Sequence, residues 1–349
     1  MKRILRVIWL AVKWTVVVAL CVEVLSFVII SVGNLVLYGE IREGGRALYD
    51  GYAVFLQSEG IRKTEFNSRS DDPKKNVTIW ALGGSTMRGS TSGDDKTIAS
   101  QLAKALNASG DGRHFTVTNY GMLSFNSLLE AKYLQKLLIE SPEKPNLIIF
   151  YDGTNDAKYF AEHGTPYGHH GYRRVRAIIE SYRRNWFGVL KPLNAAIYCS
   201  FTKELYDKVH QILIPLQPDS AGLNQLARLT QERYDHVNKL AGCYGADFLL
   251  FWQPTLWIDR CTVPESVQAQ EKGVIVNSDR FVTVRRNLTL PYLAIKERLK
   301  GKPYFIDFQD ALCDRTVAAY EPDGVHTTDA GNEMVAQKMA KAVLERLAK

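Results

Sequence analysis

A serine hydroxyl is a weak nucleophile until a base takes its proton, and that base needs an acceptor of its own to fix its tautomer. Residue types suited to these parts stand far apart in this chain. Gly83-Gly84-Ser85-Thr86 follows directly on an apolar run, where the glycines permit a tight turn that can present the Ser85 hydroxyl. Near the C-terminus lies Asp323-Gly324-Val325-His326, and an aspartate three residues before a histidine on one loop can orient it as a base. Acyl transfer also requires donors for a developing oxyanion. Asn119-Tyr120-Gly121 offers a glycine whose N–H can approach a ligand closely, and Asp152-Gly153-Thr154-Asn155-Asp156 offers the Asn155 amide. Taken singly, each segment has a plainer reading: a turn at Gly84-Ser85, or caps at Asp323 and His326. No GK[ST] follows the glycines, which excludes a Walker loop. Met87 stands where a GxSxG elbow has glycine, which disfavours an α/β-hydrolase.

Positioning such residues together requires strands that end near one another. Short apolar runs at Val77 to Leu82, Thr116 to Tyr120, Leu147 to Tyr151, Asp247 to Trp252 and Tyr304 to Asp307 read as buried strands. Between them, Thr97 to Leu106, Leu128 to Ile139, Leu223 to Leu240, Val284 to Leu299 and Ala330 to Leu347 carry apolar residues at helical spacing. This alternation predicts a parallel sheet covered by helices on both faces, with ligands bound beyond the carboxyl ends of the strands. The three strand-end segments then fall on one edge of the sheet. The interval from Ala157 to Pro218 breaks the rhythm and reads as an insertion over the strand ends. Its His163, His169 and His170 are not read as a metal site, because adjacent histidines do not easily ligate one ion together and no acidic or cysteine partner stands at ligand spacing.

In their order and at strand ends, the four segments together resemble the SGNH (GDSL-like) hydrolase family. The resemblance spans Leu82 to Asn332, with Gly83-Gly84-Ser85-Thr86 where the family often has Gly-Asp-Ser-Leu. It implies a flavodoxin-like three-layer α/β/α sandwich. It also implies Ser85 as nucleophile, His326 as general base and Asp323 as its orienter, with the Ser85 N–H, the Gly121 N–H and the Asn155 side chain as oxyanion donors. The chemistry implied is ester hydrolysis through an acyl-serine, without metal or organic cofactor. An O-acyltransferase using the same serine is the alternative enzyme, and a catalytically inactive envelope binding protein the alternative outside catalysis.

The 349 residues are 46% hydrophobic, enough to bury a sizeable core, which excludes global disorder. A net charge of +7, scattered along the chain, lacks the dense basic patches of a nucleic-acid binder. From Trp14 to Leu37 the chain is almost uninterruptedly apolar, long enough as a helix to cross a hydrocarbon core about 30 Å thick. Lys2, Arg3, Arg6 and Lys13 precede it, whereas Glu40, Arg42, Glu43 and Arg46 nearly cancel after it. The N-terminus is therefore expected in the cytoplasm and the catalytic domain on the periplasmic or extracellular side. The apolar stretch continues past Ser26 and Ser31, which favours an uncleaved anchor. Glu23 is costly near a bilayer centre and marks either a helix partner or a span that sits differently. The division expected is an anchor at 1–37, a connector with one short helix at 38–76 and a hydrolase domain at 77–349 with its insertion at about 157–218. Location suggests an acylated substrate, polysaccharide or lipid ester. Cys199, Cys243, Cys261 and Cys313 lie on the expected outer side and allow two bridges, with three pairings open.

Overall fold

The computed structural model describes residues 2–38, 47–184, 191–217, 220–271 and 281–348. They form two compact units. One holds the N-terminal helix Lys2–Tyr38 with Gly171–Ile214, and the other holds residues 47–170 and 215–348.

The second unit is built on five parallel strands: β3 (Asn76–Gly83), β4 (His114–Asn119), β5 (Leu147–Asp152), β6 (Asp247–Trp252) and β7 (Phe305–Asp307). Their order is β4-β3-β5-β6-β7, the flavodoxin-like arrangement. The three central strands, β3, β5 and β6, are buried on both faces over most of their length and so read as near-continuous apolar runs. Trp80, Leu82, Ile148 and Phe150 pack into one core with the helices Ser127–Glu140, Ala221–Cys243 and Val282–Leu299. Ile79, Ala81, Ile149 and Tyr151 pack into the other with Ile98–Asn107 and Asp329–Leu347. Side chains of Thr97, Asn126, Ser220 and Thr328 accept backbone N–H groups in the first turns of four of these helices, each cap contributing about 1 kcal/mol. The direction of the chain reverses around β3, which opens a crevice between the carboxyl ends of β3 and β5.

Three expectations are corrected. The described part of the connector holds an antiparallel hairpin, β1 (Ala47–Asp50) with β2 (Val54–Gln57), and its short helix is a single 3-10 turn, Pro73–Lys75. Asp50 Oδ1 accepts the N–H groups of Tyr52 and Ala53 at 2.9 and 2.7 Å, and this side-chain turn competes with helix formation. Beyond the hairpin, Asn67 bonds both the Val117 N–H and its carbonyl, at 2.8 and 3.1 Å, and Ser68 N–H reaches the Phe115 carbonyl at 3.0 Å. The connector thus covers the open edge of β4.

The segment added to the sheet unit is also shorter than the interval 157–218. Thr154–His163 is the helix that follows β5, with Ala157, Tyr159 and Phe160 buried, and the grouping with the N-terminal helix begins at Gly171. Of the four cysteines after the N-terminal helix, Cys261 and Cys313 are bridged while Cys199 and Cys243 are free.

Candidate active site

Ser85 is the first residue of the short helix Ser85–Arg88, entered through extended Gly84 at the end of β3. As the first helical residue it has an N–H that no intrahelical carbonyl can accept. The two glycines before it are spatial requirements. A Cβ on Gly83 would lie 2.6 Å from Met87 Cβ, and one on Gly84 would lie 2.6 Å from Asn155 Nδ2. The Asn155 amide therefore lies directly over the backbone that leads into the serine. It comes from the first turn after β5, across the crevice, and donates to the Phe125 carbonyl at 2.6 Å. An amide nitrogen has two hydrogens, so one donor remains.

The acid and base arrive on the loop before Asp329–Leu347. His326 Nε2 is 2.8 Å from Ser85 Oγ, and its Nδ1 is hydrogen-bonded to Asp323 Oδ2. With the Nδ1 proton held by the carboxylate, Nε2 is the lone-pair nitrogen facing the hydroxyl. The other oxygen, Asp323 Oδ1, accepts the N–H groups of Val325 and His326 at 2.8 and 2.9 Å. Burial works against the Asp323 carboxylate, yet the hydrogen bond and charge of His326 and the two backbone donors hold it below the ordinary aspartate value. It is ionised at neutral pH.

This loop is tied on several sides. Leu256 N–H donates to the Gly324 carbonyl at 2.8 Å, and Glu321 N–H to the His326 carbonyl at 2.8 Å. Arg315, 3% exposed, pairs with Asp259 and Glu271 at 2.8 Å each, and Glu271 in turn accepts the Ala319 N–H at 2.8 Å. The Cys261–Cys313 bridge joins the same two stretches of chain. Asp323 and His326 are thus presented by a cross-linked support.

A sequence profile of the GDSL-like Lipase/Acylhydrolase family matches residues 45–339, most of the chain. The chain belongs to this family. No curated protein matches its sequence. Among solved structures it is similar to an acetyl xylan esterase, AlAXEase, at 14% identity over 76% of this chain and 100% of that one, with a TM-score of 0.39. It is also similar to the psychrotrophic esterase EstA from Pseudoalteromonas sp., at 11% identity over 78% and 100%, TM-score 0.42. A third is TesA, at 15% identity over 77% and 99%, TM-score 0.39. The protein is a GDSL-like ester hydrolase on a five-stranded parallel sheet.

Within this hydrolase the structure brings Ser85, Asp323, His326 and Asn155 together, but it does not leave the Gly121 N–H free. That group donates to Oδ1 of fully buried Asn119 at 2.9 Å. What Gly121 supplies is a close approach: a Cβ there would lie 2.5 Å from the Arg88 backbone nitrogen. Asn119 also donates to the Met87 carbonyl at 2.9 Å, so it fastens the end of β4 to the serine helix. The residue type that marks β4's end was readable from sequence; its side-chain partners were not.

The three histidines are engaged as packing groups. His163 stacks on Tyr159, His170 meets Phe55 edge-on at 5.6 Å, and His169 Nδ1 lies 2.7 Å from the His170 carbonyl oxygen. Among the described residues, the one cluster with metal-ligand spacing is Asp259, Cys261 and Cys313, and its sulfurs form the disulfide.

Close to Asn155 lies a buried acidic group that sequence reasoning missed. Glu130, Asp152 and Asp156 are 1%, 4% and 3% exposed. Asp156 accepts the Ser127 N–H at 3.1 Å and faces Arg233 at 3.6 Å, and Tyr234 donates to Asp152 at 2.8 Å. Burial, followed by repulsion from Asp152, holds Glu130 well above the ordinary carboxylate range, and burial pushes Asp152 up to about 7. The folded protein therefore binds more protons than the unfolded chain between the ordinary carboxylate values and about pH 7. This contribution to stability declines as pH rises through that window. Glu130→Gln removes one of the two raised carboxyls, so its melting temperature should fall less than that of the wild type between pH 5 and pH 8. Thermal unfolding at the two pH values measures this, and parallel declines would assign the slope to other groups.

Proposed function

We propose that this chain is a serine esterase acting through an acyl-serine. Ser85 Oγ attacks the carbonyl of an acyl ester while His326 Nε2 takes the hydroxyl proton, then delivers it to the leaving alcohol. Asp323 holds the imidazole tautomer and faces the imidazolium once it forms. The Ser85 N–H and the remaining Asn155 N–H serve the oxyanion, and Gly121 is left out of the donor set. Water enters by the same route in reverse, with His326 as its base, and frees the acid. The observation that carries this reading is the hydrogen-bonded line from Asp323 through His326 to Ser85 at the carboxyl end of β3.

The substrate proposed is an acyl ester, acetyl foremost, on a polysaccharide or lipid of the cell envelope. The N-terminal helix is long and apolar enough to cross a membrane. Basic residues gather in its N-terminal third, which supports a cytoplasmic N-terminus and an outer hydrolase. The Cys261–Cys313 bridge suits the oxidising side.

The full chain in detergent, given p-nitrophenyl acetate, should release nitrophenol and be inactivated by a fluorophosphonate whose adduct maps to Ser85. Absence of both turnover and adduct would assign the chain to inactive binding members of the fold. Conversion of an added alcohol into its ester at the expense of acid release would make it an acyltransferase.

A further inference from the structure

A carboxylate within a long apolar helix is costly when unpaired, and Glu23 is well provided with partners. Its Oε1 accepts the Phe201 N–H at 2.6 Å, and its Oε2 accepts the Thr202 N–H and hydroxyl at 3.1 and 2.7 Å. Phe201 and Thr202 open the helix Phe201–Leu213, so Glu23 satisfies N–H groups that no intrahelical carbonyl reaches. Phe27 packs edge-on against Phe201 with ring centres 4.9 Å apart, and Lys208 donates to Asn34 at 3.3 Å. The two helices therefore run side by side in the same direction from Glu23 to Asn34. Arg173 and Arg174 pair with Asp207 and Glu204, which adds the helix Tyr172–Arg184 to the group.

Length and charge decide where this assembly meets a bilayer. The 37-residue N-terminal helix is about 55 Å long, roughly 25 Å more than a hydrocarbon core requires. Beside its second half lie Lys203, Glu204, Asp207 and Lys208, charged groups that are each costly at a bilayer centre, whereas between its first turn and Glu23 the helix carries Arg6 and Lys13. Pairing reduces that cost without reversing the comparison. The stretch before Glu23 is the part suited to hydrocarbon, so the span lies nearer the N-terminus than Trp14 to Leu37.

The partner helices also expose apolar side chains. Ile179 is 62% exposed, Leu193 and Ile197 on Lys191–Tyr198 are 58% and 56%, and Tyr206 is 62%. Tyr172–Arg184 holds five arginines and one glutamate along with its isoleucines. Basic amphipathic helices of this kind lie in the membrane interface, about 5–10 Å into the headgroup and acyl boundary. We propose that Tyr172–Arg184 and Lys191–Tyr198 form an interfacial collar, held to the membrane helix by Phe201–Leu213 and its dock on Glu23, with a phospholipid surface as its partner.

The inference rests on the N-terminal helix staying in the membrane, and the test reads the two separately. The full chain, with Cys21, Cys199 and Cys243 changed to serine, is placed singly in phosphatidylglycerol nanodiscs with one fluorophore at Ile179→Cys, Leu193→Cys, Ile197→Cys or Val12→Cys. Acyl-chain bromolipids and aqueous iodide serve as opposing quenchers. The first three probes should be quenched by shallow bromines at least roughly threefold more than by deep ones and be shielded from iodide. The Val12 probe should respond to deep bromines. Probes at 179, 193 and 197 open to iodide, or silent to both quenchers because protein covers them, would overturn the collar while Val12 still reports an anchor. A Val12 probe silent to bromolipid would remove the anchor and the collar together.

Discussion

Replacing Ser85 with alanine is expected to lower kcat for a small acetyl ester by on the order of 10⁶, because serine, histidine and aspartate acting as one unit lose nearly all their effect when any central member is removed. The fold should survive. The Ser85 hydroxyl has His326 as its side-chain partner, and alanine is compatible with the first position of a helix. The steady-state rate of the purified variant, alongside its circular dichroism, gives the answer. Activity within tenfold of wild type in a folded variant would reduce Ser85 to a turn residue and remove the acyl-serine from the mechanism.

Asn155→Ala should lower kcat by roughly 10² to 10³ with KM nearly unchanged, since a donor aimed at the oxyanion acts on the transition state more than on the ground-state carbonyl. The geometry is tight on this side chain. It sits where a Cβ on Gly84 would strike it and is fixed by the Phe125 carbonyl, so the remaining N–H is pre-aimed rather than free to swing. Because the Gly121 N–H is occupied by Asn119, the loss falls on a donor set with little reserve. An effect confined to KM would reassign Asn155 to substrate binding. Recovery of the rate by a second change, Asn119→Ala, would show that the Gly121 N–H can be released to the site.

The parts of this molecule that are local in sequence were legible in it. The strands β3, β5 and β6 follow from buried apolar runs, and the helices between them from their spacing, because both patterns reflect faces buried against the same sheet. Ser85, Asn155, Asp323 and His326 were legible as strand-end and loop residues whose types fit one chemistry. What escaped depends on partners distant in the chain. The commitment of the Gly121 N–H to Asn119 is a matter of side-chain direction. Glu130 and Asp152 meet only when the helix Ser127–Glu140 packs beside β5. Glu23 was visibly anomalous, yet nothing near it in sequence identifies Phe201 and Thr202, about 180 residues away, as its partners. The hairpin of the connector was missed because four-residue strands carry too short a pattern to be told from a loop.

The hydrogen bond between Ser85 and His326 joins residues 241 positions apart. During synthesis the nucleophile therefore leaves the ribosome long before its base, by about 10–50 s at roughly 5–20 residues per second. Throughout that interval the serine sits at the end of an early strand with no histidine to take its proton. The growing chain is chemically silent, and competence arrives only with the last few dozen residues. A product cut short between Asp307 and Asp323 would carry the nucleophile and all five strands of the sheet but none of the reactivity.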